Sequence, residues 1–377
     1  MSVLTAEPIL ASAVAPVATR ATLGVWNLPS GFPSQLEAKL AWTGSSVSKD
    51  SDFILQLSGA EIVEVKTALE HFKTFGDDGD AINPSNFPLP TLGTKLADLS
   101  RDIHHGRGLG VIRGIKPSSY STEDLTMIYL GVSSHIAESR GRQDKRGNML
   151  VHIVADNSTK QAAEHHRHST KEISFHNEEA GDVVSWLTRS TAAAGGKCII
   201  ASAYTIYNVL AATRPDLIRI LARSDWPFAL PKFHCRPVIF HQEGKLIMNF
   251  GRAALLGNQA HPRPSHLPTL TSQQKEALDA IEAIAQATQL EIQTQAGDMH
   301  FINNLAVLHR REGFVNGEAL NEKRHLVRMR LRSAEHGWSI PSALEHEWKK
   351  AFGQKGAKHW HLEPMPASFF PLRRQPN

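Results

Sequence analysis

The sequence predicts a mainly β fold with flanking helices, a β-sandwich or jelly roll. Short apolar strands crowd the second half of the chain, and only a few helical stretches punctuate them. There is no Gly-rich phosphate loop and no internal repeat, as a parallel doubly wound sheet or a solenoid would require.

Residues 1–25 read as a flexible tail, with Glu7 and Arg20 its only charges. A signal peptide would open on basic residues and a transit peptide would carry several arginines. The next third reads as helices with short strands. Ser58-Gly59-Ala60-Glu61 has the form of a capping box, in which hydroxyl and carboxylate satisfy the free amides of a helix start. Ile62, Val65, Leu69 and Phe72 then recur at helical spacing before Gly76. Leu96, Leu99 and Ile103 mark a second helix, which stops at Gly106-Arg107-Gly108 ahead of a strand over 109–113. A third helix starts at Ser121. Residues 140–172 are polar apart from a strand over 149–154, and a loop-rich stretch this long is either a functional lid or disordered.

From Ser174 onward strands dominate. Gly195-Gly196 leads into an apolar strand over 198–203, and a helix over 204–223 is interrupted at Pro215. Residues 238–250 form a hairpin turning at Glu243-Gly244. Thr271-Ser272-Gln273-Gln274 is a second capping box, and further strands fall over 290–295, 299–303, 307–309 and 324–332. The remainder, 26–377, reads as a single domain with its jelly-roll core over roughly 100–335.

Composition narrows the function. The 377 residues carry 41 basic against 37 acidic side chains, a net charge of +4, with no long run of like charge. That balance is too even to argue for nucleic acid or an anionic membrane as a partner. A homo-oligomer is compatible with it. No run of 18 apolar residues exists, so no membrane span is expected, and the predicted location is the cytoplasm. Cys198 and Cys235 read as free, buried thiols of a reducing compartment. Most of the 20 histidines are packing or surface residues.

Three segments carry chemistry. In Phe175-His176-Asn177-Glu178, strand geometry would put the imidazole and the carboxylate on one face. With one further histidine, such a pair makes the two-histidine, one-carboxylate set that holds Fe(II) and leaves three coordination positions open. Taken singly, His-x-Glu is common by chance. Gly297-Asp298 then begins a turn and an apolar strand that runs to Asn303-Asn304, with His309 at the end of the next apolar stretch. A buried histidine satisfied by a carbonyl would look the same. Over 324–332, Val327, Met329 and Leu331 alternate with Arg324, Arg328, Arg330 and Arg332. That arginine face is either solvated or turned inward to bind carboxylates.

In this order and spacing, the three segments resemble the taurine dioxygenase and clavaminate synthase superfamily of Fe(II)/2-oxoglutarate oxygenases, over roughly residues 100–335. The resemblance implies a double-stranded β-helix and an enzyme that consumes 2-oxoglutarate and O₂, releasing succinate and CO₂. It implies His176, Glu178 and His309 as iron ligands, with Glu where many relatives have Asp. It implies Arg324 at the distal carboxylate of 2-oxoglutarate, and Arg328 nearer the substrate or the keto-acid end. A Thr or Ser usually supports that distal carboxylate. Here Cys198 stands in the slot, or Ser202 substitutes for it. Glu179, adjacent to the triad, would point away. Arg252 and Arg330 read as ordinary surface or structural ion-pairing residues, and His165, His166 and His168 as part of a polar closing loop. The implied reaction is oxidation of an unactivated C–H bond of a small anionic or amino-acid-like molecule in secondary metabolism, by hydroxylation or by desaturation or cyclisation. Two rivals keep the same fold: an inactive homologue acting as a binding module, and an iron oxygenase that does not consume 2-oxoglutarate. A zinc hydrolase is disfavoured, since a helical His-Glu-x-x-His is absent and the arginine strand would have no task.

Overall fold

The computed structural model describes residues 27–364 except 48, 156–168, 231 and 259–260. The tail expected over 1–25 and the cluster His165, His166 and His168 lie outside the described residues. Two sheets build the core, from β1 (Ile54–Gln56), β2 (Leu109–Arg113), β3 (Ser139–Gly141), β4 (Val151–Val154), β5 (Ile173–His176), β6 (Val183–Ser190), β7 (Cys198–Ser202), β8 (Leu290–Ile292), β9 (Met299–Asn303), β10 (Val307–Arg311) and β11 (His325–Arg332). The larger sheet runs β1-β2-β9-β6-β11-β3, with β4 also paired to β11, and the smaller runs β8-β7-β10-β5. These pairings are antiparallel except β1 with β2. The result is the expected jelly roll.

Each sheet is covered on its outer face. Val183, Leu187, Phe301, Val327 and Met329 of the larger sheet pack beneath helices Gly59–Lys73, Leu92–His105 and Thr122–Ser134. Its inner face, with Val184, Trp186, Ile302 and Leu326, shares a core with the smaller sheet and with helices Ala203–Thr213 and Ser272–Thr288. β11 is therefore buried on both sides. Val327, Met329 and Leu331 meet the helical layer, and its arginines turn toward the space between the sheets.

Local sequence explains the boundaries. Ser58 and Thr271 each close the capping box they were expected to form. One helix ends at Thr213 and the next restarts at Pro215, whose missing N–H suits a first helical position. The hairpin Ile239–Gln242 with Lys245–Met248 turns through Glu243 and Gly244, both at positive φ. Two elements carry no clear sequence signal: the three-residue β3, inside the stretch read as loop, and the C-terminal helix Ser342–Phe352. Cys198 is buried as expected, but Cys235 is exposed, because it lies on a short two-residue strand away from the core. Among the described residues no helix is long and apolar enough to cross a membrane.

The Gly297-Asp298 turn is structural. Gly297 has φ +94°, and a Cβ there would sit 1.7 Å from the Ile115 carbonyl oxygen. Asp298 is fully buried and accepts two 2.8 Å hydrogen bonds from Arg113, from Nε and Nη2, plus one of 2.7 Å from the Gln295 amide. This pair ties β2 to the start of β9. Removing one partner of a buried pair strands the other's charge. Asp298→Ala is expected to lower stability by about 3–5 kcal/mol, seen as a fall in the urea midpoint with an unchanged denaturant slope.

Candidate active site

His309 and His176 are direct cross-strand partners on β10 and β5, and their rings lie 4.2 Å apart between centroids. The His176 Nδ1 is 2.9 Å from the Ser174 carbonyl. That contact makes Nδ1 the donor and leaves the Nε2 lone pair facing the site. Burial, and then the neighbouring His176, hold His309 well below the usual histidine range, so it is a neutral imidazole able to bind a metal.

Glu178 arrives differently from the way the sequence suggested. β5 ends at His176, so strand alternation does not place the carboxylate. Asparagines place it instead. The Asn304 side chain accepts from the Glu178 amide at 2.8 Å and donates to the Glu178 and Gly181 carbonyls at 3.0 Å each. Asn177 donates to the Asn304 carbonyl at 2.6 Å and accepts from the Phe250 amide at 3.1 Å. Glu178 Oε1 consequently lies 4.0 Å from His176 Nε2 and 3.9 Å from His309 Nε2. Among the described residues these three form the one group of His, Cys, Asp or Glu whose ligand atoms all lie within 4.8 Å of one another. Two imidazoles and a carboxylate on one side suit a ferrous ion, and a small rotation of the side chains would draw all three onto it.

The arginine strand faces this group. Arg328 donates from Nη1 to Glu178 Oε1, and from Nη2 to Gln143 Oε1 at 3.1 Å. Arg330 was expected to be a surface or structural residue. It is buried, with Nη2 3.8 Å from both Glu178 Oε2 and Glu179 Oε2, because the face it occupies is internal. Arg324 is buried over the Phe314 ring at 5.3 Å, and burial brings its pKa down to about 10, so it stays cationic at neutral pH. No carboxylate of the described residues pairs with its guanidinium. Arg252 lies elsewhere, with Nη1 2.7 Å from the exposed Asp279.

The triad, Arg324 and Arg328 line one pocket of about 990 Å³ including its mouth. Cys198 lines it too, its thiol pushed up to about 12 by burial, so it remains protonated. Ser202 does not take that place. Its hydroxyl accepts from the Thr205 amide at 3.1 Å as a helix cap and donates to the Leu40 carbonyl. Lining residues that escaped the sequence reading include Trp186, Thr188 and Arg311. Thr188 Oγ1 is buried without a hydrogen-bond partner among the described residues. Alternation along β6 puts Trp186 and Thr188 on one face and could have exposed them. Gln143, in the polar stretch, carries no such signal.

The asparagine clamp makes a testable demand. Asn304→Ala should weaken divalent-metal binding by about 10–100-fold, as loss of outer-shell partners does, measured by anaerobic Fe(II) titration, while the thermal unfolding of the metal-free protein falls only modestly.

Comparison with known proteins identifies the family. The sequence profile of the taurine catabolism dioxygenase TauD, TfdA family matches residues 71–330. The chain is 32% identical over 381 residues to the taurine hydroxylase-like protein SAT17 of Stachybotrys chartarum, covering 96% of this chain and 99% of that protein. It is 23% identical over 321 residues to the FR-33289 synthase of Streptomyces rubellomurinus, covering 81% and 93% of the two chains. Among solved structures, asparagine oxygenase in complex with Fe(II), 3-hydroxyasparagine and succinate aligns with a TM-score of 0.59 at 15% identity, over 74% of this chain and 94% of that one. The non-heme iron oxygenase OrfP, in complex with Fe, succinate and (3S)-hydroxy-L-Arg, aligns with a TM-score of 0.57 at 16% identity over the same shares, a likeness of fold. The chain belongs to the TauD/TfdA family and is a non-haem dioxygenase dependent on Fe(II), 2-oxoglutarate and O₂.

Proposed function

We propose that His176, Glu178 and His309 hold the ferrous ion, that Arg324 receives the distal carboxylate of 2-oxoglutarate, and that the enzyme hydroxylates a small amino-acid-like or other carboxylate substrate. The observation that carries this reading is the convergence of the three donor atoms in the pocket that also holds Arg324, a buried cation with no carboxylate partner among the described residues. A guanidinium fork matches a carboxylate in shape and charge. Hydroxylated amino acids accompany the asparagine oxygenase and OrfP structures, and this supports the substrate class.

Bound iron, with 2-oxoglutarate and O₂, supplies the oxidising power for the C–H bond. The protein supplies position and exclusion of water. Arg324 anchors the far end of the co-substrate and so fixes the direction in which its keto-acid end points. Arg328 neutralises Glu178 and holds that carboxylate beside the two imidazoles. Cys198, uncharged beside Arg324, adds a weak donor to the same carboxylate, with Thr188 Oγ1 a second donor on the pocket wall. The apolar Ile153 and Leu326 limit water in the pocket.

The direct test is anaerobic addition of Fe(II) and 2-oxoglutarate, which should produce a visible charge-transfer band, followed by succinate release when O₂ is admitted. Absence of both would refute the reading. His176→Ala and His309→Ala should each reduce succinate formation by more than about 100-fold through lost metal, with iron content measured alongside. Arg324→Ala should raise the dissociation constant of 2-oxoglutarate by about 10–150-fold, corresponding to about 1.5–3 kcal/mol for a charged hydrogen bond. An unchanged constant in a folded variant would remove Arg324 from this role.

A further inference from the structure

A second pocket, about 700 Å³ with its mouth, shares Ile173 and His176 with the first. Phe228, Leu230, Phe250 and Ala254 give it apolar walls, and Glu179, Arg236 and Arg252 also line it. The two arginines differ. Arg252 is already paired with Asp279. Arg236 is only 4% exposed, with its guanidinium 5.0 Å over the Phe228 ring and its Nε buried without a hydrogen-bond partner among the described residues.

No carboxylate of the described residues lies within ion-pair distance of Arg236. The acids that act on it, Glu347 and Glu179, do so from farther away and are otherwise engaged. Glu347 receives Lys350 at 3.1 Å, and Glu179 lies 3.8 Å from Arg330 Nη2. A desolvated guanidinium is retained at a cost unless an anion compensates it. Its planar fork selects an oxyanion over a neutral group. The surrounding apolar walls exclude water and strengthen the contact.

We propose that Arg236 binds the acidic group of the substrate, a carboxylate, sulfonate or phosphonate seated in this second pocket, while the rest of the molecule extends past His176. The proposal rests on the reading of His176 as an iron ligand and adds to it the end of the substrate that is recognised. Arg324 and Arg236 then divide two acids between them, co-substrate on one side of His176 and substrate on the other.

The test is calorimetric titration of the protein loaded anaerobically with Fe(II) and saturating 2-oxoglutarate, so that the first carboxylate site is filled. The probes are L-asparagine, L-arginine, taurine and 2-aminoethylphosphonate, together with the carboxamides of the two amino acids and the sulfonamide of taurine. At least one acid should bind, and a carboxylate or sulfonate that binds should do so about tenfold or more tightly than its amide. Which acid binds identifies the oxyanion, and for the phosphonate the dependence on Arg236 replaces the amide comparison. In Arg236→Met the advantage of the acid should fall to about unity. In Arg236→Lys, which keeps the charge and the packing over Phe228, part of it should remain, so a methionine variant that fails to fold still leaves a decisive comparison. Binding of none of the acids, an advantage that survives in folded Arg236→Met or is untouched in Arg236→Lys, or binding abolished by saturating 2-oxoglutarate, would overturn the proposal. If the charge-transfer band never forms but Arg236-dependent acid binding persists, the iron-site reading fails and the Arg236 site stands.

Discussion

One buried carboxylate organises this molecule. Glu178 sits between two imidazoles and two guanidinium groups, in a place where an uncompensated charge could not be kept. Every neighbouring element is arranged around it. Asn304 fixes its backbone, Asn177 ties that backbone to Phe250 and to β10, and β11 brings Arg328 and Arg330 from the opposite sheet. The cross-strand register of β10 and β5 sets the two histidines beside it. The arrangement holds its shape through hydrogen bonds to the main chain, so the donor atoms stand close together through the fold itself.

Much of this was legible in the sequence, for reasons that differ element by element. Helix starts were readable because Ser58 and Thr271 carry their own capping chemistry, and the break at Pro215 because proline lacks the amide a continuous helix needs. The triad residues were readable from their types and their order. What could not be read was how Glu178 reaches its place, since the polypeptide leaves the strand after His176 and long-range side-chain contacts take over. The arginine face of β11 was ambiguous for a related reason. Alternation distinguishes the two faces of a strand but not which is wet, and here neither is. The family resemblance, not periodicity, resolved that choice.

The roles of the Gly297-Asp298 and Asn303-Asn304 segments also separate once the contacts are known. Asp298 belongs to the scaffold, paired with Arg113 at the start of β9, and Asn303 anchors the other end of that strand by donating to the Ile103 carbonyl at 3.2 Å. Asn304 alone reaches the triad. A compact motif thus joins a strand anchor to a site anchor within a few residues.

The double burial of β11 constrains how such a protein can change over time. A strand's side chains alternate sides with each residue, so inserting or deleting one position within it would drive guanidinium groups into the helical layer and push Val327, Met329 and Leu331 into the cavity. Both compartments would fail together, and no gradual route connects one register to the other. Diversification of substrate range in a scaffold of this kind is therefore channelled into the connecting segments that border the cavities, while the length of this strand stays frozen.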